Sequence, residues 1–326
     1  MLKVENLHKS YGKEKVLHGV NLHINSGEIV SIVGSSGSGK TTLLRLISGL
    51  EIPDSGTIVI KENEVNSSGI YTPPEKRNCS LVFQDYALFP NMSMIDNIYF
   101  GQGSIENKEK VEDPITITNI ENILDKYPHE CSGGEQQRVA LVRSMAIQPE
   151  LILMDEPLSN LDYNLKSKIS TLICEVIKKF KTTAVIVTHD IMDAMKISDR
   201  IIVFGSGKII QDGSPNEIYD RPNSKKVALL FGQTNFIPLE LIPDSKNYFT
   251  DVQTNKSFVP IRPEQFVIYD EKFASNKIVF SGKICSVKKI GSNNNIKLET
   301  ESLSLVVQLK GLMDLELGEE LKVMVL

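Results

Sequence analysis

The stretch that most restricts how this chain can fold is "IVSIV" at 29–33, running into "GSSGSGKTT" at 34–42 and then "LLRLISGL" at 43–50. A short apolar run bounded by turn residues reads as a buried strand, and the apolar spacing after the glycines reads as a helix. Gly34, Gly39, Lys40 and Thr41 fall at the spacing G-x-x-x-x-G-K-[ST]. Glycines at those positions let backbone N–H groups wrap a phosphate, a lysine adds charge to the β/γ oxygens, and a hydroxyl suits Mg²⁺. A flexible Gly/Ser linker has the same composition. The strand before the loop and the helix after it favour the phosphate reading.

Two more short apolar runs follow, "LILM" at 151–154 and "AVIVT" at 184–188. Between them Leu165, Ile169, Leu172, Ile173, Val176, Ile177 and Phe180 recur at spacings of three and four, which gives one apolar helix face. Strand, amphipathic helix and strand make a βαβ unit, and hence a parallel sheet. The stretch from about 86 to 148 carries helical signals and no comparable strand. Inside it, "CSGGEQQR" at 131–138 sets Ser132, Gly133 and Gly134 before a helical period. Unpaired N–H groups and the dipole at a helix start favour an anion, so the chain holds a second candidate phosphate grip.

Chemistry-bearing side chains sit where these strands end. "LILMDEP" places Asp155 and Glu156 at a strand terminus, and ligands of parallel sheets bind outside the carboxyl ends of the strands. One carboxylate there can hold Mg²⁺ and its neighbour can orient or deprotonate a water; a solvated strand end is the bland alternative. "VIVTHD" ends another strand on His189 beside the same crevice. Gln84 in "LVFQDYALFP" is a neutral amide suited to Mg²⁺ or to water positioning, and equally suited to polar surface. Tyr11 in "HKSYGK" offers a ring for an adenine, though spacing alone leaves core or surface open.

Composition excludes several other classes. With 36 basic against 41 acidic residues the net charge is −5, which gives no basic face for nucleic acid. No apolar run approaches membrane-spanning length, and the first residues do not open a signal peptide. Cys79, Cys131, Cys174 and Cys285 show no metal-type or disulfide spacing. The expectation is a cytosolic chain.

Phosphate loop, Gln84 loop, "SGGEQQR", "LILMDEPLSNLD" and "VTHD", in that order, resemble the nucleotide-binding subunit of an ABC transporter over residues 1 to about 234. The resemblance implies an α/β P-loop ATPase with a helical subdomain at about 86–148. It implies ATP as substrate, with Tyr11 against the adenine. Gly34, Ser35, Ser36, Gly37, Ser38, Gly39, Lys40, Thr41 and Thr42 would surround the phosphates. It further implies Mg²⁺ on Thr41, Gln84 and Asp155, Glu156 as catalytic base, and His189 reaching the γ-phosphate. Cys131 and Glu135 replace the first and last residues of the family's usual LSGGQ, while Ser132, Gly133 and Gly134 stand unchanged. In the family two copies pack head to tail, and the signature of one closes over ATP held by the other. One copy of each grip therefore implies a homodimer with Ser159–Asp162 at its interface, and "YALFPNMSM" near a membrane permease.

From residue 235 the texture turns to short alternating segments between Gly/Asn/Ser turns. This part, 235–326, resembles a small all-β, OB-like TOBE module, with "IRPEQ" at 261–265 matching the module's "RPE". Such modules accompany importers that use a solute-binding protein outside the cytoplasm, which implies a peripheral place at the cytoplasmic face of the membrane. An exporter ATPase, or a soluble ABC protein of translation or DNA maintenance, is the other reading. The appended barrel argues against the first, and the single cassette without long coiled coils against the second. "PPEKR" at 73–77 followed by "VFQDYALFP" at 82–90 is most similar to ATPases of ferric-iron importers. Importers of spermidine, sulfate, maltose or phosphonate carry related segments.

Overall fold

The computed structural model describes residues 1–100, 109–159, 161–272, 277–311 and 315–325. Parts of the expected helical subdomain (101–108) and C-terminal module (273–276, 312–314, 326), and Asn160 of the expected interface segment, lie outside the described residues. The chain divides into two compact units, Met1–Pro215 and Asn216–Leu326.

The first unit is built on the expected parallel sheet. Strands β3 (Ile29–Val33), β7 (Cys79–Val82), β8 (Leu151–Asp155), β9 (Thr183–Thr188), β10 (Arg200–Gly205) and β11 (Lys208–Gly213) lie in the order β11-β10-β3-β9-β8-β7. Only β11 runs antiparallel to its neighbour. Every residue of β3 and β9 is buried, which explains runs without alternation: both faces are covered. Helix α1 (Lys40–Ser48) and helix α5 (Tyr163–Phe180) supply cover through Leu43, Leu44, Leu46 and Ile47, and through Ile169, Ile173, Val176 and Ile177. Helix α6 (Ile191–Ile197) follows β9 and is capped by Asp190.

A second sheet was not anticipated from the sequence. Strands β1 (Leu2–Tyr11), β2 (Glu14–Ile24), β4 (Ser55–Ile60), β5 (Asn63–Ser67) and β6 (Ile70–Tyr71) form an antiparallel sheet in the order β2-β1-β4-β5-β6. Its inner residues, among them Leu2, Val4, Leu22 and Ile58, join the core that covers α1 and β3. Alternating buried and exposed positions in β1 and β2 carried that signal.

Helix α2 (Met94–Tyr99), helix α3 (Glu109–Thr118) and helix α4 (Gly133–Ala146) make up the described helical part. Helix α4 buries two opposite flanks. Its Ala140, Leu141 and Met145 enter the sheet-side core, while Val139, Val142 and Ala146 enter a separate core with Met94, Ile98 and Val111. Among the described residues no helix is long and apolar enough to cross a membrane.

The second unit opens with helix α7 (Pro215–Asp220) and helix α8 (Lys225–Leu230), before the strands begin at Asn235. Strands β12 (Asn235–Pro238), β13 (Phe249–Asp251) and β14 (Lys256–Ile261) form one antiparallel sheet. Strands β15 (Phe266–Ile268), β16 (Val279–Ile290), β17 (Asn293–Glu299), β18 (Ser304–Lys310) and β19 (Glu320–Val325) form another, ordered β15-β19-β16-β17-β18. Alternate residues of β17 and β18 (Ile296, Leu298, Leu305, Val307) point into a shared core with Phe266 and Val323. The class is thus the one expected, a P-loop α/β fold followed by a small β-sheet unit, to which the short helices α7 and α8 are added.

Arg262 of "IRPEQ" explains why two helices belong to this β unit. The residue is 2% exposed, and its guanidinium donates to Ala228 O at 2.9 Å, Gly232 O at 3.2 Å, Thr234 Oγ1 at 2.6 Å and Tyr219 O at 3.0 Å. Lys225 adds a second tie, 3.2 Å from Asp251 and 4.0 Å from the Phe258 ring centroid. Arg262→Met leaves several buried carbonyls unpaired, so it is expected to destabilise the second unit by about 3 kcal/mol or more. Denaturant unfolding followed by a signal from the second unit measures this.

Candidate functional site

The strand-to-helix turn after β3 requires glycine at defined points. A Cβ on Gly34 would overlap the Phe204 carbonyl, and Gly37 has φ 73°, a left-handed conformation that costs glycine little. The loop therefore lies tight against β10, and the Ser38 N–H closes its turn on Ser35 O at 3.3 Å. Lys40 opens α1, is 6% exposed, and donates to Gly34 O and Ser35 O at 3.0 Å each. Burial lowers its pKa, and Glu156 and Asp155 oppose that shift. The buried Ser38 Oγ has no hydrogen-bond partner among the described residues. An unpaired hydroxyl and a lysine turned onto its own loop are the state expected of a phosphate cradle that has polar groups to give.

Sheet register brings the rest of the site to this loop. Val33 pairs with Thr188, and Asp155 with Val187, so β3, β9 and β8 end side by side. Thr41 Oγ1 donates to Asp155 Oδ1 at 3.2 Å. Burial holds the Asp155 carboxyl above the usual carboxylate range, the Thr41 hydrogen bond works against that shift, and Glu156 adds to it. Glu156 has φ 48°, fixed by its N–H on Val187 O at 2.8 Å, and its Oε1 lies 3.0 Å from His189 Nδ1. Ser36 to Thr42, Glu156 and His189 line one cavity of about 590 Å³, a size in the range of small-molecule sites.

A hydroxyl and a carboxylate in contact at the cavity edge form a hard-oxygen pair. Mg²⁺ takes one or two carboxylates and completes its shell with water and substrate phosphates. Thr41 and Asp155 fit that pattern. The described residues contain no group of three or more His, Cys, Asp or Glu suited to a metal. Gln84 lies in the exposed turn that follows β7, the strand next to β8.

Other candidates stand outside the cavity lining. Tyr11 pairs with Glu14 across the β1–β2 hairpin, and it is Glu14, with Val16, that lines the cavity. The Tyr11 ring is exposed, with Lys9 Nζ 5.2 Å from its centroid, its hydroxyl on Glu51 and Thr42 in hydrogen-bond reach. Glu14 and Val16 were missed because they sit in an ordinary strand, with no motif to single them out.

Ser132, Gly133 and Gly134 are likewise not among the lining residues. Ser132 is the N-cap of α4, and Gly134 lies close against α5: a Cβ there would stand 2.6 Å from the Leu165 side chain, which would have to shift. Glu135 closes a capping box: its carboxylate accepts from Ser132 N at 2.8 Å and Ser132 Oγ at 2.7 Å, while its own N–H donates to Ser132 Oγ. The acidic variant at this position thus serves the helix start. Gln137 on α4 donates to the carbonyl of Pro157, the residue after Glu156. Ser159 Oγ donates to Glu156 O at 3.0 Å, and Asp162 caps α5.

Comparison with known proteins agrees with this geometry. Residues 17–159 match the family described as ABC transporter. The chain is 33% identical to the Fe(3+) ions import ATP-binding protein FbpC 2 of Haemophilus influenzae, over 99% of this chain and 94% of that protein. It is 38% identical to the sulfate/thiosulfate import ATP-binding protein CysA of Mesostigma viride, over 94% of this chain and 88% of that protein. Among solved structures it resembles the dimeric post-hydrolysis state of the ATP-binding cassette MJ0796 bound to ADP and Pi. There the TM-score is 0.57 and the identity 31%, over 66% of this chain and 99% of that one.

The cap on α4 makes a separate expectation. Ser132→Ala removes the acceptor for the Glu135 N–H and is expected to cost about 1 kcal/mol of stability, with Glu135→Gln costing less. The two Ser132 hydrogen bonds depress the Glu135 pKa, so the carboxylate's contribution is full above the ordinary Glu pKa and falls away as pH drops through the depressed one. Urea midpoints across that acid range check both points.

Proposed function

The chain belongs to the ABC transporter family, and from that premise we propose that it hydrolyses ATP to drive solute import through a membrane permease, with ferric iron as the solute. The observation that carries the chemistry is the convergence of Lys40, Glu156 and His189 on one cavity of about 590 Å³ at the ends of β3, β8 and β9, with Asp155 hydrogen-bonded to the cavity-lining Thr41.

ATP phosphates would lie on the N–H groups of the loop from Gly37 to Thr42 at the positive end of α1, with Lys40 released from Gly34 O and Ser35 O to the β/γ oxygens. Thr41, Asp155 and Gln84 are the residues that would hold Mg²⁺, which when bound neutralises charge on those oxygens. Glu156 then accepts a proton from the water that attacks the γ-phosphorus, as the bond to the ADP oxygen breaks. His189, 3.0 Å from Glu156, is assigned to orienting that carboxylate and to the γ-phosphate. Tyr11, one hairpin pair from the cavity-lining Glu14, is assigned to the adenine.

The Ser132–Gly134 cap does not line its own chain's cavity, which supports its use on ATP held by a second copy in a head-to-tail homodimer. Permease subunits are the direct partners and hold the ATPase at the cytoplasmic face; a solute-binding protein acts indirectly, and nucleic acid has no part. Residues 1–234 are assigned to the ATPase and 235–326 to a TOBE-type module.

Iron is favoured by the relative named for Fe(3+) import, matched over nearly the whole of both chains. The relative named for sulfate/thiosulfate import, at 38% identity, supports that anion as the second reading. Uptake of labelled ferric iron and of labelled sulfate by cells carrying Lys40→Ala decides between them, iron uptake alone being expected to fall. Glu156→Gln is expected to keep ATP binding, slow turnover by roughly 10²–10⁴ and accumulate an ATP-bound dimer on gel filtration. Near-normal turnover would remove Glu156 from the mechanism.

A further inference from the structure

The turn that carries Gln84 contains a conformation which its own residues do not favour. Tyr86 has φ 62° and Ala87 φ 45°, the one consecutive pair of non-glycine left-handed residues among those described. A bulky side chain at such φ is an outlier that persists only where its surroundings hold it. Besides the burial of Tyr86 and its N–H on Phe83 O, this pair is held by one guanidinium on α4. Arg143 donates to Tyr86 O at 2.8 Å and to Ala87 O at 2.7 Å, and its Cζ lies 6.0 Å from the Phe89 ring centroid. Arg143 stands in the last turn of α4, where a basic residue ordinarily serves its own helix's free carbonyls. Here it reaches to carbonyls 56 and 57 residues away in sequence.

The other end of α4 touches the same turn. The Tyr86 side chain is 7% exposed and its hydroxyl has no partner among the described residues. A Cβ placed on Gly133 would stand 3.7 Å from that hydroxyl oxygen. Gly133 and Arg143 are ten residues apart on the helix, a rise of about 15 Å. Tyr86 therefore runs along α4 from the signature glycine toward Arg143, two residues after Gln84.

We infer that Arg143 is a positioning residue for ATP hydrolysis, a latch that keeps the turn of Tyr86 and Ala87 closed so that Gln84 moves with the signature helix. This rests on the ATPase reading above. With the latch in place, a shift of α4 on engaging a second copy's ATP is passed to the Gln84 amide. Without it the two carbonyls lose their charged donor, the left-handed pair relaxes, and Gln84 leaves its place while the Lys40 loop is untouched.

The test separates latch from scaffold. Arg143→Met is expected to lower kcat about ten- to a hundred-fold, the range for losing hydrogen bonds from a charged donor, with KM for ATP within about twofold of wild type. Ala87→Gly alone is expected to be close to wild type. In the Arg143→Met background it is expected to recover most of the lost kcat, because glycine takes positive φ without penalty. Arg143→Lys, one point charge on a similar stem, is expected to fall between, and it serves if the methionine variant fails to fold. Hydrogen exchange gives a readout independent of turnover: the Tyr86 amide, which donates to Phe83 O at 3.1 Å, should exchange faster in Arg143→Met and return toward wild type with Ala87→Gly. Unchanged kcat and exchange in a folded Arg143 variant, or no rescue by Ala87→Gly, overturns the latch. A wild-type chain with no ATPase activity overturns the ATPase reading instead, and the exchange arm still decides the latch.

Discussion

Parallel pairing of β3 with β9 and of β9 with β8 is the constraint on which the site depends. Because Val33 stands opposite Thr188 and Val187 opposite Asp155, three chain segments of separate origin end at one level. The phosphate loop, the Asp155–Glu156 pair and His189 then need no long side chains to meet. A slip of one residue in either pairing would turn Asp155 or Thr188 to the other face of the sheet and dissolve the constellation. Complete burial of β3 and β9 resists that slip, since any shift would expose apolar surface on both faces.

Helix α4 carries the next level of organisation. Most helices at a protein surface keep a polar side, but α4 buries opposite flanks in two separate cores. It cannot shift without disturbing both. Its start presses on α5 through Gly134, its middle ties to Pro157 through Gln137, and its end holds the Gln84 turn through Arg143. The signature is thereby connected to both candidate catalytic segments, Glu156 and Gln84, by packing and hydrogen bonds within one chain. This gives the two candidate phosphate grips a mechanical relation although they line no common cavity.

The second unit is organised around a buried cation. Arg262 spends its donors on backbone carbonyls of α8 and the following turn and on Tyr219, so its charge is balanced by dipoles and by aromatic contact, 4.2 Å from the Tyr219 ring. The "RPE" triplet therefore has a structural explanation of its own. Arg262 gathers the two helices before Asn235 onto strands that follow it. The change of texture at residue 235 marks where strands begin, while the compact unit starts earlier, at Asn216.

The sequence by itself determined the elements whose chemistry is local. A buried strand, a glycine turn and a helix are specified by neighbours in the chain, and so Lys40, Thr41, Asp155, Glu156 and His189 could be named, with the βαβ unit that joins β8 to β9. The capping box of Ser132 and Glu135 is local as well, although its meaning for a departure from the usual signature emerged only from its hydrogen bonds. Tertiary structure alone decided what depends on the chain's return path. It brought Glu14 and Val16 to the cavity wall, sent Tyr11 to the hairpin beside it, and bound Arg143 to carbonyls on another element. The physical reason is reach. Periodicity and turn chemistry act over a few residues, whereas a guanidinium, a ring or a strand edge takes whichever partner the folded sheets carry within hydrogen-bonding distance, and no spacing along the chain encodes that choice.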